Sequence, residues 1–314
     1  MPKISVIIPV YKAEPYIERC VRSLFSQTLD DLEYIFIDDC TPDNSISVLK
    51  AVLDEYPNRR DQVKIVNHQH NQGVSQSRQD GFDATTGEYV IHCDPDDWIE
   101  PEMYELLYDK AKSGNFDIVG CDFWEEFDNK STTKLQEFSL TPKDIFVAIL
   151  DGDLHPSLWS RLIRRQFIIE NNVVFDPDIC LSEDANYVFP LHLASERVAW
   201  LHQPLYHYRM AADSITHRIG EKQIFSHIKV IKSISEYCPK EERVITAYNS
   251  AKARAVQALI TNLKVYNPQQ WLAETAGLPY SFFGAIKHRI SPWLIRHGFF
   301  KLNKCFVWLF RLIS

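Results

Sequence analysis

The sequence ISVIIPV at residues 4–10 is an apolar run of β-forming residues, and four more such runs follow within the first 120 residues. The segments between the runs have helical spacing, as in Ile17, Cys20 and Leu24. Alternation of strand and helix with short turns predicts parallel strands covered by helices on both faces, an α/β fold. The predicted strands are Ile4–Ile8, Glu33–Ile37, Val63–Asn67, Tyr89–His92 and Asp117–Gly120. The predicted helices are Pro15–Ser26, Ser45–Tyr56, Ser75–Thr85 and Pro101–Ser113.

The remainder of the chain changes character at about residue 220. Residues 121–220 are irregular and aromatic, whereas long periodic stretches such as Ile224–Tyr237 predict helices beyond them. We therefore expect an α/β part over residues 1–220 and a helical extension over residues 221–314.

Composition and charge narrow the class of protein. The chain has 314 residues, 45% of them apolar, and a net charge of −8, so it is an ordinary globular protein that is not expected to bind nucleic acid. Seven scattered cysteines without a C-x-x-C pair predict reduced thiols and a cytosolic location. The N-terminal apolar run is short and lacks a cleavage site, so a signal peptide is not expected. The sequence contains no run of about 20 apolar residues, so a membrane-spanning helix is not expected.

Polar side chains follow four of the predicted strands. In a parallel sheet the carboxyl ends of the strands lie along one edge, where ligands collect. We therefore expect a functional site there, although turn and helix-cap chemistry remains an alternative for any one of these segments. The segments are Pro9–Tyr11, Asp38–Asp43, Asn71–Arg78 and His92–Asp97.

The fourth segment carries three carboxylates within four residues, Asp94, Asp96 and Asp97. Carboxylates so close together repel one another unless a cation neutralises them, and hard oxygen ligands favour Mg²⁺ or Mn²⁺ shared with substrate phosphates. An EF-hand is excluded because its loop requires glycine where this sequence has Ile99. A helix start at Asp97 remains an alternative. No P-loop and no G-x-G-x-x-G sequence follows the first strand, which disfavours a P-loop ATPase and a dinucleotide dehydrogenase.

In their order, these motifs make the chain resemble family-2 glycosyltransferases over about residues 3–215. The resemblance implies a GT-A fold and transfer of a sugar from a nucleotide-sugar with inversion at the anomeric carbon. It also implies a nucleotide-binding half at about 1–120 and an acceptor-binding half at about 121–220. The motifs are SVIIPVY at 5–11, SQT at 26–28, Asp38–Asp39, N-x-G-x-S-x-x-R at 71–78 and D-x-D-D at 94–97.

The resemblance also implies roles for individual residues. Mn²⁺ or Mg²⁺ would be bound by the D-x-D motif, with Asp96 as the direct ligand and Asp94 beside it. The residues that would bind the nucleotide-sugar are Pro9, Val10 and Tyr11 around the base, Asp39 on the uracil edge, Arg78 near the nucleotide, and Asp94 and Asp96 of the motif.

A second acidic segment, Glu183–Asp184, resembles the part of the family that carries the general base. A carboxylate within reach can accept the proton of the attacking acceptor hydroxyl, and the resemblance assigns that role to Asp184. Glu183 and Trp159 are expected at the acceptor. The alternative is that both acids only complement a helix N-terminus. Arg209 or His217 is a further candidate for the diphosphate, although a packing role is favoured for each.

The C-terminal segment is basic, in contrast to the acidic chain as a whole, because residues 275–314 contain six Lys or Arg and no acidic residue. On a helical wheel Lys301 and Lys304 lie opposite Leu302 and Leu309, with tryptophans nearby. A basic amphipathic end at about 281–314 favours peripheral binding to an anionic membrane surface. Packing of this helix on the acidic body is the alternative.

These inferences predict a metal-dependent inverting hexosyltransferase. It would move glucose, galactose or an N-acetylhexosamine from a UDP-sugar in β-linkage onto a lipid-linked saccharide in bacterial surface polysaccharide synthesis (O-antigen, capsule or lipooligosaccharide). Its place would be the cytoplasmic side of the inner membrane. The alternative is a non-catalytic module that binds a nucleotide-sugar or glycan at the membrane surface. Neither the hexose, the acceptor linkage nor the oligomeric state follows from the sequence.

Overall fold

The computed structural model describes residues 1–136, 139–210, 220–284 and 286–313. The strands are β1 Ile4–Val10, β2 Leu32–Asp38, β3 Val63–Asn67, β4 Tyr89–His92, β5 Trp98–Ile99, β6 Ile118–Phe127, β7 Lys130–Lys134, β8 Arg161–Arg164 and β9 Val198–Arg209. The helices are α1 Ile17–Phe25, α2 Ser45–Glu55, α3 Val74–Asp83, α4 Met103–Ser113, α5 Pro142–Asp151, α6 Arg165–Glu170, α7 Glu183–Ala194, α8 Glu221–Tyr237, α9 Glu242–Thr261, α10 Pro268–Glu274, α11 Ile286–Arg296 and α12 Phe300–Ile313. Within the described residues, 3-10 helices lie at Pro57–Gln62 and Tyr280–Phe283.

One mixed sheet joins these strands in the order β3-β2-β1-β4-β8-β6-β9-β5, and β7 pairs with β6 outside this path. The strands β1 to β4 are parallel, as predicted, and β6 is parallel to β9. Between these two groups β8 runs antiparallel to both β4 and β6. The α/β class is thus confirmed, with parallel pairing concentrated in the first 92 residues.

Helices bury the first strands on both faces. All seven residues of β1 are buried, and α1 covers one face with the apolar side that its spacing predicts. Gly120 in β6 lies directly against the indole ring of Trp200 in β9, so that a methyl group there would overlap the ring. Only glycine fits this contact, at which β6 and β9 are paired.

The C-terminal helices share a hydrophobic core with α7. Val188 and Leu191 of α7 belong to the same buried cluster as Val230 and Ile234 of α8 and residues of α9. The predicted division at residue 220 therefore separates two segments that pack together, because α8 and α9 contribute side chains to the interior beneath α7.

The last two helices bury some side chains against the body and expose others. Ile295, Asn303 and Val307 are buried against the body. Six large apolar side chains between residues 293 and 310 are nevertheless 44% to 57% exposed: Trp293, Phe299, Leu302, Trp308, Leu309 and Phe310. None of the helices in the described residues is long and apolar enough to span a bilayer.

Candidate functional site

The carboxyl ends of β1, β2 and β4 place the predicted nucleotide-sugar residues at one edge of the sheet. Val10 is paired with Asp38 across the ladder, and the backbone N–H of Asp39 donates to the carbonyl of Val10 at 3.1 Å. Pro9 and Val10 are buried in the strand, whereas the ring of Tyr11 is 43% exposed. Tyr11 is thus the member of this trio whose side chain is open to a planar ligand.

The Asp39 carboxylate, 3% exposed, is bound by the loop that follows β3. It accepts hydrogen bonds from the backbone N–H groups of Gln72 (2.7 Å) and Gly73 (2.9 Å) and from the Asn71 side chain (2.8 Å). Its Oδ1 also lies 2.8 Å from Nδ1 of His68. Because a carboxylate offers about four acceptor positions, a bond from Asp39 to a uracil edge requires release of one of these contacts.

Asp94 and Asp96 follow β4 and reach the surface. Their side chains are 27% and 37% exposed. The guanidinium of Arg209, at the end of β9, lies 3.7 Å from the Asp96 carboxylate and stacks on the ring of Tyr16 at 3.9 Å. The second diphosphate candidate, His217, lies outside the described residues.

The third acid of the cluster is part of the interior. Asp97 is 1% exposed and accepts hydrogen bonds from the hydroxyl of Tyr206 (2.6 Å) and the backbone N–H of Arg209 (2.8 Å). Burial and then the charges of Asp96 and Asp94 raise the pKa of Asp97 well above its ordinary value. A helix start at Asp97 is wrong, because the residue precedes β5. Its contacts attach the end of β4 to β9.

Arg78 of α3 joins the two acidic segments. Its guanidinium, 3% exposed, donates to Asp94 (3.0 Å), to Glu183 (3.0 Å) and to Asp184. Beneath it His92 is fully buried, and burial followed by the charge of Arg78 holds the pKa of His92 well below its ordinary value. The imidazole therefore stays neutral and adds no charge to the cluster.

Glu183 and Asp184 begin α7, where their charges also complement the helix N-terminus. Asp184 Oδ2 accepts a hydrogen bond from the backbone N–H of Leu158 at 3.2 Å, while Oδ1 is bound to Arg78. Two of the roughly four acceptor positions are thus in use, which leaves capacity for a substrate hydroxyl. This distinguishes Asp184 from Asp39.

The residue before this pair has a strained backbone. Ser182 has φ +64°, in the left-handed region, and its Oγ lies 2.8 Å from Nδ1 of His227 in α8. The neighbouring Ser226 hydroxyl, 4% exposed, contacts the backbone N–H groups of Cys180 and Leu181 and the carbonyl of Leu181, each at 3.0 Å. The first C-terminal helix therefore fixes the backbone that positions the acidic pair.

Trp159, predicted at the acceptor, lies inside an aromatic stack. It is 2% exposed, and its ring lies 4.2 Å from that of Tyr206 and 5.3 Å from that of Tyr208. The outer rings of this stack, Tyr208 and His155, are more exposed than Trp159. Trp159 thus supports the rings that a ligand would meet before reaching it.

Arg161 holds the loop that carries Trp159 and the N–H of Leu158. It is completely buried and donates to the carbonyls of His155 (2.8 Å) and Ser157. It also lies 3.0 Å from Nε2 of His192. Burial lowers the pKa of Arg161 to about 9.

Sequence reasoning missed Arg161, Ser226 and His227 as positioning residues. Arg161 lies in the irregular aromatic middle of the chain, where no periodic pattern marks a charged side chain as buried. Ser226 and His227 lie within an amphipathic helix whose pattern predicts only burial, and no local signal marks their contacts.

The donor set suits a divalent metal ion. Asp94 and Asp96 offer partly exposed carboxylate oxygens on one short turn, and such oxygens are the ligands of Mg²⁺ and Mn²⁺. In the part of the chain that the structure describes, no group of three or more His, Cys, Asp or Glu side chains could hold a metal on its own. A metal at this turn would therefore take further ligands from water or from substrate phosphates.

The match to a known family agrees with this arrangement. The family described as glycosyl transferase family 2 matches residues 5–173, more than half of the chain, so the chain belongs to that family. The uncharacterized glycosyltransferase EpsJ of Bacillus subtilis (strain 168) is 33% identical over 224 residues, or 69% of this chain and 63% of EpsJ. The chain thus spans less than two thirds of this relative.

Solved structures share the fold. The S. aureus protein TarS 1-349 in complex with UDP-GlcNAc has a TM-score of 0.71 at 16% identity, covering 99% of this chain and 92% of that one. The mannosyltransferase PcManGT of Pyrobaculum calidifontis, in complex with GDP-Man and Mn²⁺, has a TM-score of 0.59 at 14% identity, covering 97% and 86%. The predicted GT-A fold followed by a helical C-terminal region is confirmed.

Proposed function

We propose that this protein is a metal-dependent inverting glycosyltransferase that moves a hexose from a UDP-sugar, in β-linkage, onto a lipid-linked saccharide of a bacterial surface polysaccharide. One observation carries the proposal: Arg78 binds both Asp94 of the D-x-D motif and the acidic pair Glu183–Asp184. A donor-binding acid and a candidate base thus lie in one network, which binding without catalysis does not require. The structure of TarS 1-349, which has the same fold and is in complex with UDP-GlcNAc, supports UDP as the nucleotide.

In this proposal Asp184 takes the proton of the acceptor. The acceptor oxygen forms a bond to the anomeric carbon, the bond from that carbon to the diphosphate oxygen breaks, and UDP leaves. Attack from the face opposite the leaving group inverts the configuration. Arg78 and the N–H of Leu158 fix the orientation of the Asp184 carboxylate, which supports proton transfer in a defined geometry.

The donor would be bound along the edge formed by β1, β2 and β4. Tyr11 would stack on the base, Asp39 would reach its edge after one loop contact is released, and Arg209 is near enough to Asp96 to contact a diphosphate there. Asp96 and Asp94 would hold Mn²⁺ or Mg²⁺, with Asp96 as the direct ligand. The metal ion supplies positive charge at the departing diphosphate.

A membrane-bound acceptor fits the C-terminal end. The six exposed apolar side chains of α11, α12 and the turn between them are interspersed with exposed Lys301 and Lys304, and no acidic residue follows Glu274. Aromatic and aliphatic side chains among lysines favour the interface of an anionic bilayer. We propose that these helices place the enzyme on the cytoplasmic face of the membrane while Asn303 and Val307 keep α12 on the body.

The experiment is a donor panel with and without EDTA. Purified protein is incubated with UDP-Glc, UDP-Gal, UDP-GlcNAc and UDP-GalNAc, and both UDP release and thermal stabilisation are measured with Mn²⁺ or Mg²⁺. We expect one donor to give metal-dependent UDP release, and binding to raise the melting temperature. Stabilisation without UDP release, even with a lipid-linked acceptor extract, would favour the non-catalytic module. Neither signal with any UDP-sugar would contradict the proposal.

A further inference from the structure

Arg78 donates hydrogen bonds to carboxylates of two separate acidic segments. Nη2 donates to Asp94 Oδ1, and Nη1 donates to Glu183 and Asp184, which lie more than a hundred residues away in the sequence. The guanidinium is buried, whereas the Asp94 carboxylate is partly exposed. One rigid cationic group therefore spans from the metal-binding turn to the first turn of α7.

The charges of this cluster are not balanced. Among the described residues, three carboxylates contact this single guanidinium, so the cluster retains an excess of negative charge. A fixed cation at 3.0 Å from Asp94 partly neutralises the carboxylate that a divalent ion needs, and it repels that ion. Arg78 thus supplies part of the positive charge that the metal ion would otherwise bring to Asp94.

We infer that Arg78 is a positioning residue that acts as the counter-cation of the empty site and opposes metal binding when nucleotide is absent. This inference rests on the proposed function, because it assumes that the metal ion belongs at Asp94 and Asp96. A metal ion that arrives with a diphosphate brings compensating negative charge, and Arg78 then no longer opposes it. The bond of Arg78 to Asp184 is retained, so the base is held in place when the donor is bound.

The test measures binding of Mn²⁺ alone. Titration of the full chain with MnCl₂ in the absence of nucleotide, followed by the electron paramagnetic resonance signal of free Mn²⁺, compares wild type with Arg78→Gln. We expect Mn²⁺ to bind Arg78→Gln at least about tenfold more tightly, because a cation beside the site has been removed. A merely structural role for Arg78 predicts the opposite sign, since a disrupted site binds metal less well. Equal or weaker binding by Arg78→Gln, or no Mn²⁺ binding by either protein, would overturn the inference.

Two further variants keep the inference testable. Arg60→Gln removes an arginine whose partner is Asp54 on the surface, and we expect wild-type Mn²⁺ binding from it. Arg78→Lys keeps the positive charge but lacks the planar guanidinium that donates to both acidic segments. We therefore expect its Mn²⁺ affinity to be within about threefold of wild type. We also expect a lower kcat at unchanged donor KM. If Arg78→Gln does not fold, an unchanged kcat in Arg78→Lys would refute the positioning role. Failure of UDP with Mn²⁺ to bind the wild type would instead reject the proposed function.

Discussion

His227 of α8 lies 2.8 Å (Nδ1 to Oγ) from Ser182, the residue with a left-handed backbone immediately before Glu183–Asp184. A residue of the C-terminal helical region thus fixes the conformation of a strained position at the site. Together with Ser226 it holds residues 180–182 by hydrogen bonds. The orientation of Asp184 therefore depends on α8 as well as on its own helix.

Replacing Ser226 by alanine tests this support. The change leaves two backbone N–H groups and one carbonyl of residues 180–181 without their partner, so we expect a loss of about 2 kcal/mol in the free energy of unfolding. Urea denaturation measures it. Ser113→Ala in α4 is the control, because that exposed hydroxyl donates to the carbonyl of Lys110 in its own helix. Equal stability of both variants would contradict the role of Ser226.

Lowering the pH should weaken the contact between Ser182 and His227, because the imidazole of His227 becomes protonated. Burial and then the charge of Arg254 lower the pKa of His227 below its ordinary 6.5, so the unfolded chain binds its proton first. Its contribution to stability is complete above pH 6.5 and is lost as the pH falls from there toward the folded pKa. We expect His227→Gln to reduce the slope of unfolding free energy between pH 6.5 and pH 5 relative to the wild type. Identical slopes in wild type and His227→Gln would refute this assignment.

Substitutions in the two acidic segments should separate donor binding from proton transfer. We expect Asp184→Asn to lower kcat by about 10²–10⁴-fold and to retain UDP binding, because a base acts on the acceptor. Asp96→Ala is expected to abolish transfer and also to weaken UDP binding strongly when Mn²⁺ is present. Isothermal titration with UDP and steady-state turnover provide the two readouts. Near-normal turnover of Asp184→Asn would remove it as the base.

Gly120 provides a test of the contact between β6 and β9. Gly120→Ala places a methyl group on the ring of Trp200, whose Nε1 donates to the buried Asp122, so the ring cannot move away without breaking that bond. We expect destabilisation of about 1–3 kcal/mol by overpacking, measured by chemical denaturation. Gly220→Ala is the control, because among the described residues its methyl group would approach the end of the flexible Gln223 side chain and nothing else. A stable Gly120→Ala protein would show that the strands can separate.

Membrane binding should depend on the exposed face of α12. We expect Trp308→Ala with Leu309→Ala to weaken binding to vesicles of anionic phosphatidylglycerol, and Lys301→Glu with Lys304→Glu to weaken it further at low salt. Flotation with vesicles of phosphatidylglycerol or of neutral phosphatidylcholine measures both effects. Ile245→Ala, another exposed apolar position, is the control. Dimerisation through this face without vesicle binding would contradict the membrane proposal.

The sequence predicts the nucleotide-binding half of the fold well because local patterns determine it. Val63–Asn67 and Tyr89–His92 are observed with the predicted ends, and α3 and α4 lie within two residues of expectation. The strand β8 escaped prediction because four residues in an aromatic region show neither alternation nor turn signals. The two-residue β5 is defined by pairing with β9 and not by its own sequence.

The sequence indicates which residues are candidates for the site, but it does not show which of them contact one another. Acidic segments after β4 and before α7 stand out by composition, and the roles given to them remain predictions. The contacts of Arg78 with both segments bring together side chains that are distant in the sequence. The same holds for the contacts of Asp39 with the loop after β3. Likewise, the helical wheel of the C-terminal end predicts two faces, but it does not show that Asn303 lies in the packed one.

The support of residues 180–182 by α8 constrains how this protein can be recombined with its relatives. A hybrid that joins its first 220 residues to the C-terminal region of another family member would need a hydroxyl and an imidazole at the places of Ser226 and His227. Without them, Ser182 would relax to an ordinary backbone conformation and rotate the following carboxylates. The catalytic half and its first C-terminal helix are thus expected to be inherited together.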